Sequence, residues 1–224
     1  MPLLGISPVP FQPHVVIANS HYLSASLILR IPEYIHHPTE QVSFHPRNVS
    51  WEIVKPQTHL RFRWDEHEAF KKECATDFNG EIQAHGDEVA FEVTMRNVGD
   101  QPHNWGVSEF CLQTGAFFGF RDPEGEMTFI RTSDRWVKVS QREPAVHNLI
   151  AKVNDVEEWV LAMALDQRNN PKGNRLIWPS CLHTNPRWRQ LVPGESQTAH
   201  GKIYFFRGTL DDVYERYRVD FPGQ

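Results

Sequence analysis

Cysteine is scarce in this sequence, and the chain has no excess of positive charge. Its 224 residues include three cysteines, Cys74, Cys111 and Cys181. That odd number, without a C-x-x-C spacing, predicts neither a disulfide framework nor a structural zinc site. The formal net charge is −5, and no basic stripe is present that would neutralise phosphates. We therefore expect no nucleic-acid partner and a reducing, cytoplasmic location.

Long apolar runs and familiar catalytic motifs are also missing. No segment approaches the ~18 apolar residues of a membrane-spanning helix, and residues 1–13 have neither a basic start nor a small-residue cleavage pattern. Ser180 lacks the G-x-S-x-G context of a nucleophile elbow, and no glycine-rich loop is present that would hold a phosphate. We expect no membrane association and no cofactor.

Aromatic residues and prolines are abundant: the chain has 14 Phe, 7 Trp and 16 Pro. This composition favours strands and loops over helices. Apolar and polar residues alternate in the segments that we expect to be strands, which are Val49–Val54, Leu60–Trp64 and the hairpin of Glu81–His85 with Val89–Asn97. The continuous apolar run Trp159–Leu165 predicts a strand buried on both faces. Turn signals every 10–15 residues then predict one all-β domain over residues 1–224, an antiparallel sandwich resembling a supersandwich, with residues 1–13 as an extended lead-in.

Other segments predict loops, turns and one helix. Residues 31–47 are rich in proline and are expected to be mostly loop, residues 181–189 to be a loop, and Trp105–Gln113 to be the strand that returns after the hairpin. Pro193 and Gly194 predict a tight turn before a long strand. Thr209, followed three residues later by Asp212, matches a capping box. The apolar spacing that follows predicts a short C-terminal helix over residues 209–221.

Two phrases carry a resemblance to known proteins. The segment Phe91–Pro102, FEVTMRNVGDQP, resembles the strand edge of bacterial carbohydrate-associated β-sandwich proteins. The segment Leu191–Ser196, LVPGES, resembles the turn before a late strand in galactose mutarotase-like (aldose-1-epimerase-like) proteins. The resemblance implies a sugar substrate and a general-base carboxylate that works with histidines, without assigning either role to a position in this chain.

Glu109 is the first catalytic candidate. On strand alternation it shares a face with Val107 and Cys111. If that face points inward, apolar surroundings would raise the pKa of the carboxyl group and suit it to acid–base chemistry. The alternative orientation, which we favour, has Phe110 and Leu112 facing the core and Glu109 facing solvent.

His183 is the second candidate, because an imidazole, a guanidinium and an indole lie close together in the segment His183–Trp188. His183 would move protons, Arg187 would hold a carboxylate, and Trp188 would stack on a sugar ring. The alternative is a packed loop in which Trp188 covers the edge of the core. Asp166 is a third catalytic candidate or a turn residue. Further substrate-binding candidates are Arg131, Trp136 and Arg175.

Three functional hypotheses follow from these residues. The first is a carbohydrate- or sugar-acid-active enzyme of the isomerase or lyase type with a Glu109/His183 acid–base pair, either a monomer or a homo-oligomer. The second is a non-catalytic carbohydrate-binding or assembly module. The third is a His-ligated metalloenzyme, for which the 12 histidines provide no recognised ligand spacing and hence no assigned metal ligand.

Overall fold

The fold is built from strands that form two antiparallel sheets. The structure is a computed structural model that describes residues 4–20, 22–37, 42–44, 48–64, 75–102, 106–114, 119–154, 158–167, 171–173 and 180–223. Within these ranges the elements are β1 (Leu4–Pro8), β2 (His14–Asn19), β3 (Tyr22–His37), β4 (Val42–Phe44), β5 (Ser50–Lys55), β6 (His59–Trp64), β7 (Thr76–His85), β8 (Glu88–Asn97), β9 (Val107–Gln113), β10 (Thr128–Arg131), β11 (Trp136–Lys138), β12 (Leu149–Asn154), β13 (Trp159–Leu165), β14 (Lys172–Gly173), β15 (Cys181–Thr184), β16 (Ser196–Arg207) and the helix α1 (Leu210–Asp220).

Sheet 1 has the strand order β1-β2-β3-β9-β15-β14, with β4 paired to β3. Sheet 2 has the order β11-β10-β12-β13-β16-β8-β7-β6-β5. The two sheets pack face to face, as the prediction of an all-β sandwich with a short C-terminal helix required. The face of each sheet that points toward the other sheet is its inner face, and the opposite one is its outer face.

The main core lies between the inner faces. On β9, Phe110 and Leu112 are fully buried, and the Phe110 ring meets the Phe91 ring of sheet 2 edge-on at 5.9 Å. Burial of one such apolar side chain contributes about 1.5–3 kcal/mol. Alternation along each strand then sends the intervening residues to the outer face.

Strand β13 is buried on both faces, as its continuous apolar run predicts. Leu161, Met163 and Leu165 belong to the main core, whereas Val160 and Ala162 belong to a second cluster beneath α1. The helix covers the outer face of sheet 2, and for this reason β13 has no polar side.

Helix α1 begins with the predicted capping box. The Thr209 hydroxyl accepts from the backbone N–H of Asp212 at 3.2 Å, and the Asp212 carboxylate accepts from the backbone N–H of Thr209 at 2.7 Å. Val213 and Tyr217 are buried against sheet 2. Among the described residues no helix is long and apolar enough to cross a membrane.

Three sequence-based expectations about local structure are wrong. Residues 31–37 are not a loop: β3 continues through them to His37, and Val42–Phe44 pairs with its end. Cys181–Thr184 is a strand in sheet 1, and not part of a loop. The strand Val107–Gln113 does not return to the hairpin but joins β3 and β15. Each of these segments also pairs with a strand that is distant in sequence, β3 with β9 and β9 with β15, and local turn residues could not reveal that pairing.

Lys152 is a charged side chain in the sandwich interior. It shares the inner side of β12 with Ile150 and is fully buried. Its ammonium group donates to Thr114 Oγ1 at 2.9 Å, to the Phe120 carbonyl at 3.1 Å, and to Ser180 Oγ. Burial lowers the pKa of Lys152 to about 8.

Candidate functional site

The outer face of sheet 1 gathers a set of polar side chains around β9. Residues directly opposite each other on neighbouring strands share a face. The register pairs Glu109 with Tyr34, Cys111 with His183, and Gln113 with Cys181. Since Phe110 and Leu112 occupy the inner face, the orientation of Glu109 toward the core is wrong, and the orientation away from the core is the one observed.

Glu109 and His183 lie next to each other on this face. Glu109 Oε1 is 3.6 Å from His183 Nε2, and Glu33 Oε2 is 3.8 Å from the same nitrogen. The Tyr34 hydroxyl donates to Glu109 Oε2 at 3.1 Å. The side chains of His183 and Glu109 are only 10% and 16% exposed. A carboxylate and an imidazole are therefore held next to each other with little exposure to solvent.

The charges around His183 favour its protonated form. Burial is the largest effect and lowers the pKa of His183, but the hydrogen bond with Cys181 and the negative charge of Glu109 together raise that pKa above its usual value. Burial and the adjacent Glu109 raise the pKa of Tyr34 to about 12, which keeps its hydroxyl a hydrogen-bond donor. The cluster thus combines donors and acceptors around one imidazole.

A bulge in β3 brings Glu33 into the site. The register of β3 against β9 shifts between Arg30 and Tyr34, across the cis peptide bond Ile31–Pro32. Arg30 Nη1 donates to Glu33 Oε1 at 2.6 Å. With its amide oriented to accept, the Gln113 oxygen receives a hydrogen bond from Arg30 Nη2 at 3.0 Å. Arg30 therefore holds Glu33 beside His183.

Two cysteine thiols lie at the deeper end of the same cluster. Cys111 and Cys181 are both buried and in the free thiol state. A hydrogen bond to Cys181, and then burial, raise the pKa of Cys111. Ligand atoms of Cys111, Cys181 and His183 lie within 4.8 Å of one another, as do those of Glu33, Glu109 and His183. These two sets are the groupings among the described residues that could hold a metal ion.

Three other sequence candidates lie on sheet 2, away from this cluster. Asp166 follows β13, and its Oδ2 is 2.8 Å from Nδ1 of the exposed His200. The Arg131 guanidinium lies over the Tyr214 ring at 4.2 Å and over the Trp136 ring at 6.0 Å. Trp136 also lines a cavity of about 730 Å³ at the start of α1. The structure thus separates these residues from Glu109 and His183 instead of joining them in one site.

The remaining candidates lie beside the start of β9 or outside the described residues. Arg187 is exposed and forms a backbone bridge with Val107 at the start of β9. Trp188 is fully buried; its indole donates to Ser108 Oγ at 2.7 Å and meets the Phe78 ring edge-on. The indole therefore belongs to the core in this conformation. Arg175 lies outside the described residues.

Sequence reasoning missed Glu33 and Tyr34. Both follow Pro32, in a segment whose prolines predicted a loop. The signal that could have found them is Tyr34-Ile35-His36, which alternates polar and apolar residues directly after Pro32. A proline at a bulge is compatible with a strand. Cys111 was also present in the strand of Glu109, two residues away and hence on the same face.

Comparison with known proteins identifies the fold. No protein-family model matches the sequence, and no curated protein matches it. Among solved structures, the Slr1438 protein from Synechocystis sp. PCC 6803 superposes with a TM-score of 0.60 at 12% identity, over 92% of this chain and 96% of that one. A putative aldose 1-epimerase from Escherichia coli K12 superposes with a TM-score of 0.50 at 8% identity, over 91% and 99% of the two chains. The chain has the fold of these two proteins.

A larger neighbour shares the fold over part of its length. The α-N-acetylgalactosaminidase NagBb from Bifidobacterium bifidum, solved as a GalNAc complex, superposes with a TM-score of 0.67 at 9% identity. The match covers 98% of this chain and 38% of NagBb. The resemblance suggested by the turn phrases is therefore confirmed at the level of the fold, while identities this low leave the site chemistry to be argued from this chain's own residues.

Proposed function

We propose that the outer face of sheet 1 binds a carbohydrate or sugar acid, and that Glu109 and His183 exchange protons with it in an isomerase- or lyase-type reaction. The observation that carries the proposal is the 3.6 Å separation of Glu109 Oε1 and His183 Nε2 on a sheltered strand face. A general base and a general acid must both reach the reacting group, directly or through one water molecule. The short distance between these two side chains would allow both to act on one group, which supports the proposal.

The chemistry follows from the properties of the two groups. Interconversion of sugar anomers or epimers requires removal of one proton and delivery of another at a nearby atom. The Glu109 carboxylate can accept the proton, and the His183 imidazolium can donate one. The Tyr34 hydroxyl, which donates to Glu109 at 3.1 Å, orients the carboxylate. Glu33 would accept hydrogen bonds from sugar hydroxyl groups.

The charged groups around the site, including two arginines, determine which charge we expect the substrate to carry. Arg30 is already engaged with Glu33, and the adjacent carboxylates favour a neutral polyhydroxyl ligand at the centre of the site. Arg187 is exposed beside the start of β9. It would bind an acidic substituent of the substrate there. In this arrangement Arg131, Trp136 and Asp166 have no contact with the substrate.

The fold supports the carbohydrate class. Structures with this fold include a protein described as a putative aldose 1-epimerase and an α-N-acetylgalactosaminidase in complex with GalNAc. Because one fold hosts many reactions, this similarity supports the class of ligand and does not assign the reaction.

The test measures binding and turnover separately. Ligand-observed NMR with a panel of aldohexoses and uronic acids detects binding, and NMR magnetisation exchange between anomers detects conversion. We expect Glu109→Gln and His183→Asn each to reduce conversion by about 10²–10⁴-fold. His200→Gln, which changes an exposed histidine on sheet 2, should leave it unchanged.

The outcomes separate the competing functions. If the wild-type protein binds sugars but converts none of them, the non-catalytic binding module is the correct function. If it converts sugars and both variants retain full activity, the acid–base assignment is wrong. If no sugar of either class binds, the proposed function is refuted.

A further inference from the structure

The two thiols at the deep end of the cluster have no role in proton exchange with a sugar. Cys111 and Cys181 come from neighbouring strands of sheet 1 and share the outer face with His183. Both are buried. Two thiols and an imidazole, brought together from rigid strand positions, form a donor set that thiophilic metal ions prefer.

The spacing of the donor atoms suits a four-coordinate ion. Zn–S bonds of about 2.3 Å place two thiolates about 3.8 Å apart around a tetrahedral centre. The donor atoms of Cys111, Cys181 and His183 lie within 4.8 Å of one another, so a small change of side-chain torsions closes the set. Glu109 and Glu33 oxygens lie 3.6 and 3.8 Å from His183 Nε2 and form a second set with that imidazole, so rotation of one carboxylate toward the thiols would supply the fourth ligand.

We propose that Cys111, Cys181 and His183 bind a thiophilic divalent cation such as Zn²⁺, with a carboxylate oxygen of Glu109 or Glu33 as the fourth ligand. The donors are arranged by depth: the carboxylates are 16% and 21% exposed, the histidine is 10% exposed, and the thiols are buried. An incoming ion meets oxygen ligands first and sulfur ligands last.

Arg30 and Tyr34 hydrogen-bond to the two candidate carboxylate ligands, Glu33 and Glu109. Arg30 Nη1 donates to Glu33 Oε1, and the Tyr34 hydroxyl donates to Glu109 Oε2. Each contact leaves one oxygen of its carboxylate directed toward His183. Groups that orient ligands in this way strengthen metal sites. Hard ions such as Mg²⁺ and Ca²⁺ prefer all-oxygen sets and would bind here far more weakly.

The inference is independent of the proposed function, because it depends only on the donor set. The two are nevertheless linked at His183. A metal ion bound to the imidazole nitrogen occupies the lone pair that proton transfer requires. Zn²⁺ would therefore suppress sugar conversion at His183, and metal binding can be measured when no sugar is converted at all.

The experiment measures metal binding directly. Full-length protein is reduced with a phosphine, stripped with a chelator, and titrated with Co²⁺ and then with Zn²⁺ in competition with a chromophoric chelator. We expect one ion per chain, with thiolate-to-cobalt charge transfer in the near ultraviolet and intense visible bands of a tetrahedral centre. Zn²⁺ should displace Co²⁺ and abolish both signals.

Variants test the assigned ligands. Cys111→Ser and Cys181→Ser should each weaken the charge-transfer band, and the double variant should remove it. Each of these single variants, and His183→Asn, should weaken Zn²⁺ binding by at least about tenfold. His200→Gln, which changes an exposed imidazole on sheet 2, should leave affinity unchanged. Circular dichroism establishes that each variant is folded.

Specific results would overturn the inference. Absence of thiolate-to-cobalt charge transfer in the reduced wild-type protein refutes the sulfur ligands. Equal loss of affinity in His200→Gln and His183→Asn shows that the ligand set is wrong. Metal binding by a protein that converts no sugar even when it is metal-free supports this inference and refutes the proposed function. Sugar conversion by a protein that binds no metal ion does the reverse.

Discussion

Replacement of the buried Lys152 by methionine should remove a distinct pH dependence from the stability of this protein. In the unfolded chain a lysine binds its proton up to pH 10.5, whereas the folded protein holds the proton of Lys152 only up to about 8. Between these values the unfolded state binds more protons. Raising the pH through this window therefore stabilises the folded state.

The magnitude follows from the lowered pKa. Burial moves the pKa of Lys152 from 10.5 to about 8, and at about 1.4 kcal/mol per unit this difference corresponds to about 3 kcal/mol. Wild-type protein should gain that amount, relative to Lys152→Met, as the pH rises from about 7.5 to about 10.5. Methionine has a similar volume but no titrating group, so the contribution disappears in the variant.

Urea unfolding at several pH values measures the effect, with the difference between wild type and variant as the readout. Lys202→Met is a matched control. Lys202 Nζ donates to Glu88 and Asp220 at 2.9 Å each, and although burial lowers its pKa, these hydrogen bonds raise it above the usual value overall. Its contribution is lost only as the pH rises through that raised pKa. If the wild-type and Lys152→Met curves run parallel from about pH 7.5 to about 10.5, the interior lysine does not titrate as described.

Three further perturbations test the fold. Thr209→Ala removes the N-cap of α1 and should cost about 1 kcal/mol in urea unfolding; an unchanged midpoint would contradict the capping role. Gly201→Ala would drive a Cβ into the Phe91 ring and should cost about 1–3 kcal/mol, whereas Gly5→Ala, whose Cβ meets nothing closer than 3.9 Å, should be tolerated; equal effects would refute the packing argument. Burial lowers the pKa of His14 to about 4, so stability should fall as the pH drops below about 6.5, by roughly 1–2 kcal/mol after solvent screening; a His14→Gln variant should lack that loss, and an identical loss in both proteins would exclude His14 as its source.

Much of the fold could be predicted from local patterns. Period-two alternation identified β6 and the β7–β8 hairpin because a strand with one buried face must alternate. Strand β5 also alternates in sequence and does form, but it is almost wholly exposed, so its alternation does not reflect a buried face. The continuous run in β13 indicated burial on both faces, and the capping box identified the start of α1. Each of these patterns depends on residues a few positions apart, so it can be recognised without knowledge of the tertiary structure.

The candidate site was only half predictable. The sequence around Glu109 and His183 suggested acid–base chemistry because a carboxylate and an imidazole occur there close to aromatic residues and arginines. That Glu109 faces His183, and that Arg131 and Trp136 do not, depends on which strands pair. The sequence suggested that Trp188 would stack on a sugar ring. Its indole instead lies in the core and donates a hydrogen bond to Ser108, which is a consequence of the same strand pairing.

The sequence by itself determined the strand-forming segments, the closing helix and the side of each strand that is apolar, because these properties depend on residues a few positions apart. Only the tertiary structure decided that β9 lies between β3 and β15, and hence that Glu33, Glu109, Cys111, Cys181 and His183 share one sheltered face. Strand partners far apart in sequence are selected by packing over the whole core. No local pattern records that choice, and the candidate chemistry of this protein depends on it.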